Sequence, residues 1–130
     1  MISQYTPLIE KSLESIRKSY SPYSRFKVGA AVLTKDNSIY SGTNIENISY
    51  SLTICAERVA VAKAISEGHK VIKAVAIATN KGHFVPPCGA CRQFLKEFCD
   101  DMAVILVKSK SEVKIYMLSE LLPESFKLKF

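Results

Sequence analysis

The chain has 130 residues, 48% of them apolar, with 18 Lys+Arg against 12 Asp+Glu and a formal charge of +6. That length and composition fit one ordinary globular domain, expected to span 1–130 with enough chain to bury a real core, and exclude a disordered or extended multidomain protein. No apolar stretch approaches the roughly 20 residues that cross a bilayer, and the first residues lack the basic-then-apolar layout of a secretory signal. The expectation is a cytoplasmic protein with no membrane partner. The basic excess is spread thinly, 13 basic and 7 acidic side chains in residues 1–99 and five of each thereafter, with Arg17-Lys18 the only adjacent basic pair. This pattern suits a solvated surface better than a nucleic-acid footprint.

Thr6-Pro7 predicts a helix N-cap followed by proline at the first helical position. Leu8/Ile9, Leu13, Ile16 and Tyr20 recur at helical spacing up to Pro22. Phe26–Leu33 is rich in β-branched residues and predicts a strand. Lys35-Asp36-Asn37-Ser38 is turn chemistry, and Ile39–Thr43 completes a hairpin. After the polar loop Asn44-Ile45-Glu46-Asn47, a helix is expected from about Thr53 to the stop at Gly68, with Ala56, Ala60, Val61 and Ala64 on its apolar face. Val71–Thr79 has the continuous apolar run of a strand covered on both faces. A loop to Pro87, a helix over Cys88–Cys99, strands at Ala103–Val107 and Val113–Met117, and a short helix capped by Ser119 follow. The order predicts an α/β fold, a three-layer α/β/α sandwich around one mixed five-stranded sheet.

The four cysteines are too sparse for a disulfide scaffold, and in a reducing compartment they are first thiols or metal ligands. Cys55-Ala56-Glu57 stands at the start of one predicted helix. Pro87-Cys88-Gly89-Ala90-Cys91 stands at the start of another, with 30 residues between Glu57 and Cys88. A C-x-x-C at a helix start turns both sulfurs to one pole, and a third cysteine at another helix start completes three ligands for zinc, leaving a fourth position open. Helix N-termini favour thiolate over thiol. Three thiolates on one Zn²⁺ leave a net charge of about −1, which weakens the metal as a Lewis acid. Arg58 and Arg92, beside Glu57 and Cys91, are the cations expected to hydrogen-bond ligand sulfurs and offset it. Glu57, two residues from a ligand, is placed to move protons. Taken alone, it would be a first-turn acid favoured by the helix dipole. Together these features form the zinc-deaminase signature, in which activated water attacks an amino-bearing ring carbon and a glutamate shuttles protons.

At these residues the sequence resembles the small cytidine deaminases, over about Tyr20 to Phe126. The matching blocks are Tyr23–Ala31, Asn44-Ile45-Glu46-Asn47, Thr53–Arg58, Pro87–Gln93 and Leu121–Phe126. The resemblance implies hydrolytic deamination of cytidine and 2′-deoxycytidine to uridine and 2′-deoxyuridine with release of ammonia, in pyrimidine salvage. It implies one zinc per chain on Cys55, Cys88 and Cys91, with Glu57 as proton shuttle. It implies that Asn44 and Glu46 bind ribose hydroxyls, that Phe26 packs on the nucleoside, and that backbone near Ala56 and Cys88 reads the pyrimidine edge. It further implies a homotetramer in which Phe126 reaches a neighbour's base and Tyr50 lines the interface. The residue chemistry runs the same way: a neutral substrate needs hydrogen bonds and a stacking face. Asn44 and Glu46, two apart on extended backbone, project to one side, although an asparagine-built turn would use the same residues.

Three other readings compete. Zinc chemistry and basic charge suit a nucleic-acid-editing deaminase, against which stand the lack of a basic run and a carboxylate that repels phosphate. A nucleoside-antibiotic deaminase would share the zinc signature but generally lacks the Phe-x-Val-Gly-Ala-Ala and Asn-x-Glu-Asn blocks. A structural zinc module would have Cys99 close a four-cysteine site; beside Leu95 and Phe98, Cys99 instead suits a small buried thiol. His69, His83, Tyr20 and Tyr23 fit no ligand pattern.

Overall fold

Val28–Thr34, buried at every position, forms β1 and pairs antiparallel on both sides, with β2 (Ile39–Thr43) and with β3 (Ile72–Thr79). The computed structural model describes residues 2–128, so Met1, Lys129 and Phe130, the ends of the expected domain, lie outside the described residues. β3 pairs parallel with β4 (Ala103–Ser109), and β4 antiparallel with β5 (Glu112–Met117). The result is one mixed five-stranded sheet in the order β2-β1-β3-β4-β5. The expected architecture is present.

Helix α1 (Thr6–Ser15) covers one face, setting Leu8 and Ile9 on Ala31, Ala74, Ala76 and Ala78. Small side chains on this face let the helix lie close, and at Gly29 a Cβ would collide with the Ser12 carbonyl. The helix opens a little differently from the sequence reading. Thr6 is already helical, with Tyr5 at the cap position after a 3-10 turn over Ile2–Tyr5. A second 3-10 turn, Ile16–Lys18, ends the run before Tyr20, since Ser19 is extended.

On the other face lie α2 (Ala56–Ser66) and α3 (Gly89–Lys96), whose Ala60, Val61, Ala64 and Leu95 pack on Val32, Val75, Ile77 and Val104. At Gly42 of β2 an added Cβ would stand 2.7 Å from the Ala56 carbonyl, so only glycine lets the first turn of α2 rest on this strand. The α2 helix begins at Ala56 rather than Thr53, because Ile54 first pairs with Ile45 in an isolated bridge. A short α4 (Leu118–Leu121) ends the fold. Ser119 does not cap it. Glu120 accepts the Met117 N–H at 2.7 Å, while the Ser119 hydroxyl bonds Asp101.

This topology defines one functional end. The antiparallel register sets Val28 opposite Thr79 and Gly29 opposite Thr43. The segment entering β1, the segments leaving β2 and β3, and the N-termini of α2 and α3 therefore share one edge of the sheet.

Candidate active site

Cys55 and Cys88 occupy equivalent places. Each is the N-cap residue of its helix, with extended backbone (φ −72°, ψ 151° and φ −66°, ψ 168°) and no side-chain capping bond. Their thiols are thus free of the duty that serine or aspartate performs at such positions. Cys91, one turn into α3, is fully buried beneath them. The three sulfurs lie within 4.8 Å of one another, and they form the one such cluster of metal-ligating side chains among the described residues. Cys99 stands apart, its thiol on the Leu95 carbonyl at 3.5 Å. The fourth-ligand reading of Cys99 has no geometric support.

Electrostatics favour charge on one sulfur of this cluster, that of Cys55. The Cys91 thiol, donated toward Cys55, lowers the Cys55 pKa to about 5 despite opposing burial, with Arg58 helping. The same partnership pushes Cys91 upward, and burial adds to it. Arg58 Nη2 lies 3.8 Å from Cys55 Sγ and 3.3 Å from the Thr53 carbonyl. Arg92, the other cation expected to face sulfur, does not: its Nε and Nη1 donate to the carbonyls of Pro87 and Leu121, each at 2.8 Å. Its position pins the loop before Cys88 to α4. Three convergent sulfurs at two helix N-termini beside a guanidinium are a donor set suited to zinc.

Glu57 is 5% exposed. Burial raises its pKa to about 7, against hydrogen bonding from its own backbone and with a further push from the Cys55 charge. Glu57 lines a cleft of about 250 Å³ whose walls also include Phe26, Asn44, Glu46, Cys55, Ala56 and Cys88. Of the site residues named from the sequence, Phe26, Asn44, Glu46, Cys55, Ala56, Glu57 and Cys88 thus line one cavity, while Cys91, Arg58, Arg92 and Phe126 do not. Phe126 lies elsewhere, 68% exposed beside α3.

The polar pair in the cleft is committed in an informative way. Asn44 Oδ1 accepts the Val28 N–H at 3.0 Å and the Ser19 hydroxyl, and its Nδ2 donates to the Phe26 carbonyl at 2.7 Å. One amide hydrogen remains free. Glu46 accepts the N–H groups of Tyr23 and Ser24 at 2.9 and 3.2 Å together with the Ser24 hydroxyl. These bonds lower its pKa, the Ser24 hydroxyl most of all. Asn44 can offer a donor and Glu46 only an acceptor. A hydroxyl lodged between them would satisfy both.

Sequence reasoning missed Val28, Thr53, Ile77, Val85 and Pro86, which complete the cleft. Val85 and Pro86 belong to the 80–87 loop, read from the sequence only as a connection. The doubled proline before Cys88 was the available signal, since it stiffens the approach to the ligand helix.

Residues 2–107 match the family model for the cytidine and deoxycytidylate deaminase zinc-binding region. The chain is 48% identical over 120 residues to a cytidine deaminase of Halalkalibacterium halodurans, covering 92% of this chain and 91% of that one. It is 46% identical over 120 residues to one of Sporosarcina psychrophila, covering 92% and 88%. Among solved structures, the cytidine deaminase of Burkholderia pseudomallei superposes with a TM-score of 0.86 at 38% identity, covering 92% of this chain and 97% of that one. The enzyme of Mycobacterium tuberculosis gives a TM-score of 0.83 at 35% identity, covering 95% and 98%. The cleft, its sulfur cluster and these likenesses agree, and the chain belongs to the cytidine deaminase family of zinc-binding enzymes.

Proposed function

We propose that this chain hydrolyses cytidine and 2′-deoxycytidine to uridine and 2′-deoxyuridine with release of ammonia, in pyrimidine salvage. One observation carries the reading: two sulfurs of the three-sulfur cluster, Cys55 and Cys88, and the buried Glu57 line one cleft with a phenylalanine and a donor–acceptor pair. Cys55, Cys88 and Cys91 would hold one zinc ion. When bound, the metal supplies a Lewis-acidic centre that makes water more acidic.

The residues of the chain have separable tasks. Replacing an amino group by oxygen consumes one water: its oxygen stays on the ring carbon, one of its protons goes to the neighbouring ring nitrogen, and the other goes to the departing amino group, which leaves as ammonia. Glu57 is the titratable group in the cleft placed to carry them, and its enclosure keeps that traffic from bulk solvent. Phe26 supplies an apolar face for the nucleoside. Asn44 and Glu46 bracket a ribose hydroxyl as donor and acceptor, and the backbone of Ala56 and Cys88 addresses the pyrimidine edge. A carboxylate at the sugar disfavours a phosphate or a polynucleotide backbone nearby.

Phe126, exposed and away from its own cleft, is proposed to serve a neighbouring subunit of a homotetramer. Tyr50, 71% exposed, would line that interface. Each subunit is read as a single zinc-binding domain over 1–130, and the thiolate site calls for a reducing compartment such as the cytoplasm. No helix among the described residues is long and apolar enough to cross a membrane.

The test is ultraviolet monitoring of cytidine with purified, zinc-loaded protein, before and after chelation. Turnover lost on chelation and restored by zinc is expected. Failure to deaminate cytidine, or equal turnover of a cytosine-containing oligonucleotide, would overturn the reading. Light scattering decides the tetramer.

A further inference from the structure

Two asparagine side chains grip the chain on either side of Phe26, one from each flank. Asn44, just beyond β2, bonds the Phe26 carbonyl and the Val28 N–H at 2.7 and 3.0 Å. Asn80, just beyond β3, does the same one residue out of phase: its Oδ1 accepts the Lys27 N–H at 3.0 Å, and its Nδ2 donates to the Arg25 carbonyl at 3.3 Å. The Asn80 backbone N–H adds a bond to the Lys27 carbonyl at 3.1 Å. Successive peptide groups of a strand point to opposite edges. Each side-chain amide therefore replaces a peptide group of a neighbouring strand that has already ended, Asn44 on the β2 side and Asn80 on the β3 side.

This grip lies where the backbone needs it. Arg25 has φ 58°, a left-handed conformation that a residue with a β-carbon adopts reluctantly. The turn feeding Phe26 is thus one that free chain would leave, and Asn80 bonds the carbonyl of that same residue. The Asn80 side chain is not part of the cleft wall, so whatever it does for the substrate passes through the backbone.

We infer that Asn80 is a positioning residue for the nucleoside-stacking face: by closing the β3 flank of the Arg25–Lys27 segment it fixes the Phe26 ring over the cleft. The inference rests on the reading that Phe26 packs against the substrate. It assigns the end of β3 a part in substrate affinity with no contact to substrate.

A double-mutant cycle tests it, with the zinc-loaded enzyme, Asn80→Ala, Phe26→Ala and the double variant assayed on cytidine, alongside hydrogen exchange at the Lys27 amide. Asn80→Ala is expected to raise KM about three- to tenfold, the loss of one or two hydrogen bonds, with kcat and zinc content held and Lys27 exchanging faster. In the Phe26→Ala background the same substitution should add no further rise in KM. A full rise in that background would overturn the inference, because a merely structural loss would act in both. Asn80→Asp keeps the acceptor for Lys27 while facing a carboxylate toward the Arg25 carbonyl, and should give the same KM-selective rise. Unchanged KM in both variants, or unchanged Lys27 exchange in Asn80→Ala, would also overturn it. Wild-type turnover of cytidine reports separately on the function itself.

Discussion

Arg58 Nη2 stands 3.8 Å from Cys55 Sγ, reaching back along the first turn of α2 to the sulfur at its cap. The same nitrogen donates to the Thr53 carbonyl, while Arg58 Nε is buried without a partner. A guanidinium held this close adds positive charge to a sulfur cluster that would otherwise make the metal overly electron-rich. Arg58→Ala is therefore expected to lower turnover about 10- to 100-fold, a usual effect of losing a group that supports a metal ligand, and to lower zinc content less. Parallel kinetics and metal analysis check this, and unchanged kinetics would remove Arg58 from the machinery.

The catalytic and structural zinc readings separate at two residues. Glu57 is buried in the cleft with no ion-pair partner among the described residues, whereas Cys99 bonds the Leu95 carbonyl away from the sulfur cluster. Glu57→Gln should fold and hold zinc while turnover falls by about 10²–10⁴, the range for losing a positioned proton carrier. Cys99→Ala should keep both zinc and activity. Zinc lost with Cys99 would point to a structural module, and activity kept without the Glu57 carboxylate would take Glu57 out of proton transfer.

Glu46 has a second duty that enlarges the effect of its removal. Its carboxylate gathers the Tyr23 and Ser24 N–H groups and the Ser24 hydroxyl, and Ser24 in turn accepts the Phe26 N–H at 3.0 Å. Glu46→Ala is expected to raise KM for cytidine by about 100-fold or more, since a charged hydrogen bond to the sugar and the support of the Phe26 segment go together. Bound zinc should be unchanged. Steady-state kinetics with metal analysis test this; an unaltered KM would take Glu46 out of the site.

The sheet and the metal end were legible because their signals are local. Apolar runs at Ala74–Ala78 and Ala103–Val107 specify strands covered on both faces, and Cys-x-Glu with Cys-x-x-Cys carries its own geometry. Less legible was anything decided by partners distant in sequence. Whether Arg92 faces sulfur or carbonyl depends on where Leu121 folds back. The double use of Asn44 depends on how β1 registers with β2, and Asn80 acquires a role only because Val28 lies opposite Thr79. Helix starts shifted for a similar reason. The Ile45–Ile54 bridge holds Thr53 and Ile54 extended, and helical periodicity carries no trace of such a pairing.

Asp101 ties the last helix to the sheet, and its charge predicts how stability responds to acid. Its Oδ1 accepts the Met102 and Ser119 N–H groups, each at 3.0 Å, and its Oδ2 accepts the Ser119 hydroxyl at 2.7 Å. Burial works against ionisation here, but these hydrogen bonds outweigh it and lower the pKa. A carboxylate with a depressed folded-state pKa stabilises the fold above its unfolded value of about 3.9, and that contribution fades as pH falls through the folded value. Asp101→Asn, which keeps the shape without the charge, should therefore melt below wild type at pH 7. The gap should close as the pH drops below about 4. Melting curves of both proteins across pH 3–7 measure it, and a gap that stays constant over that range would show that the hydrogen-bond pattern, rather than the charge, holds α4 in place.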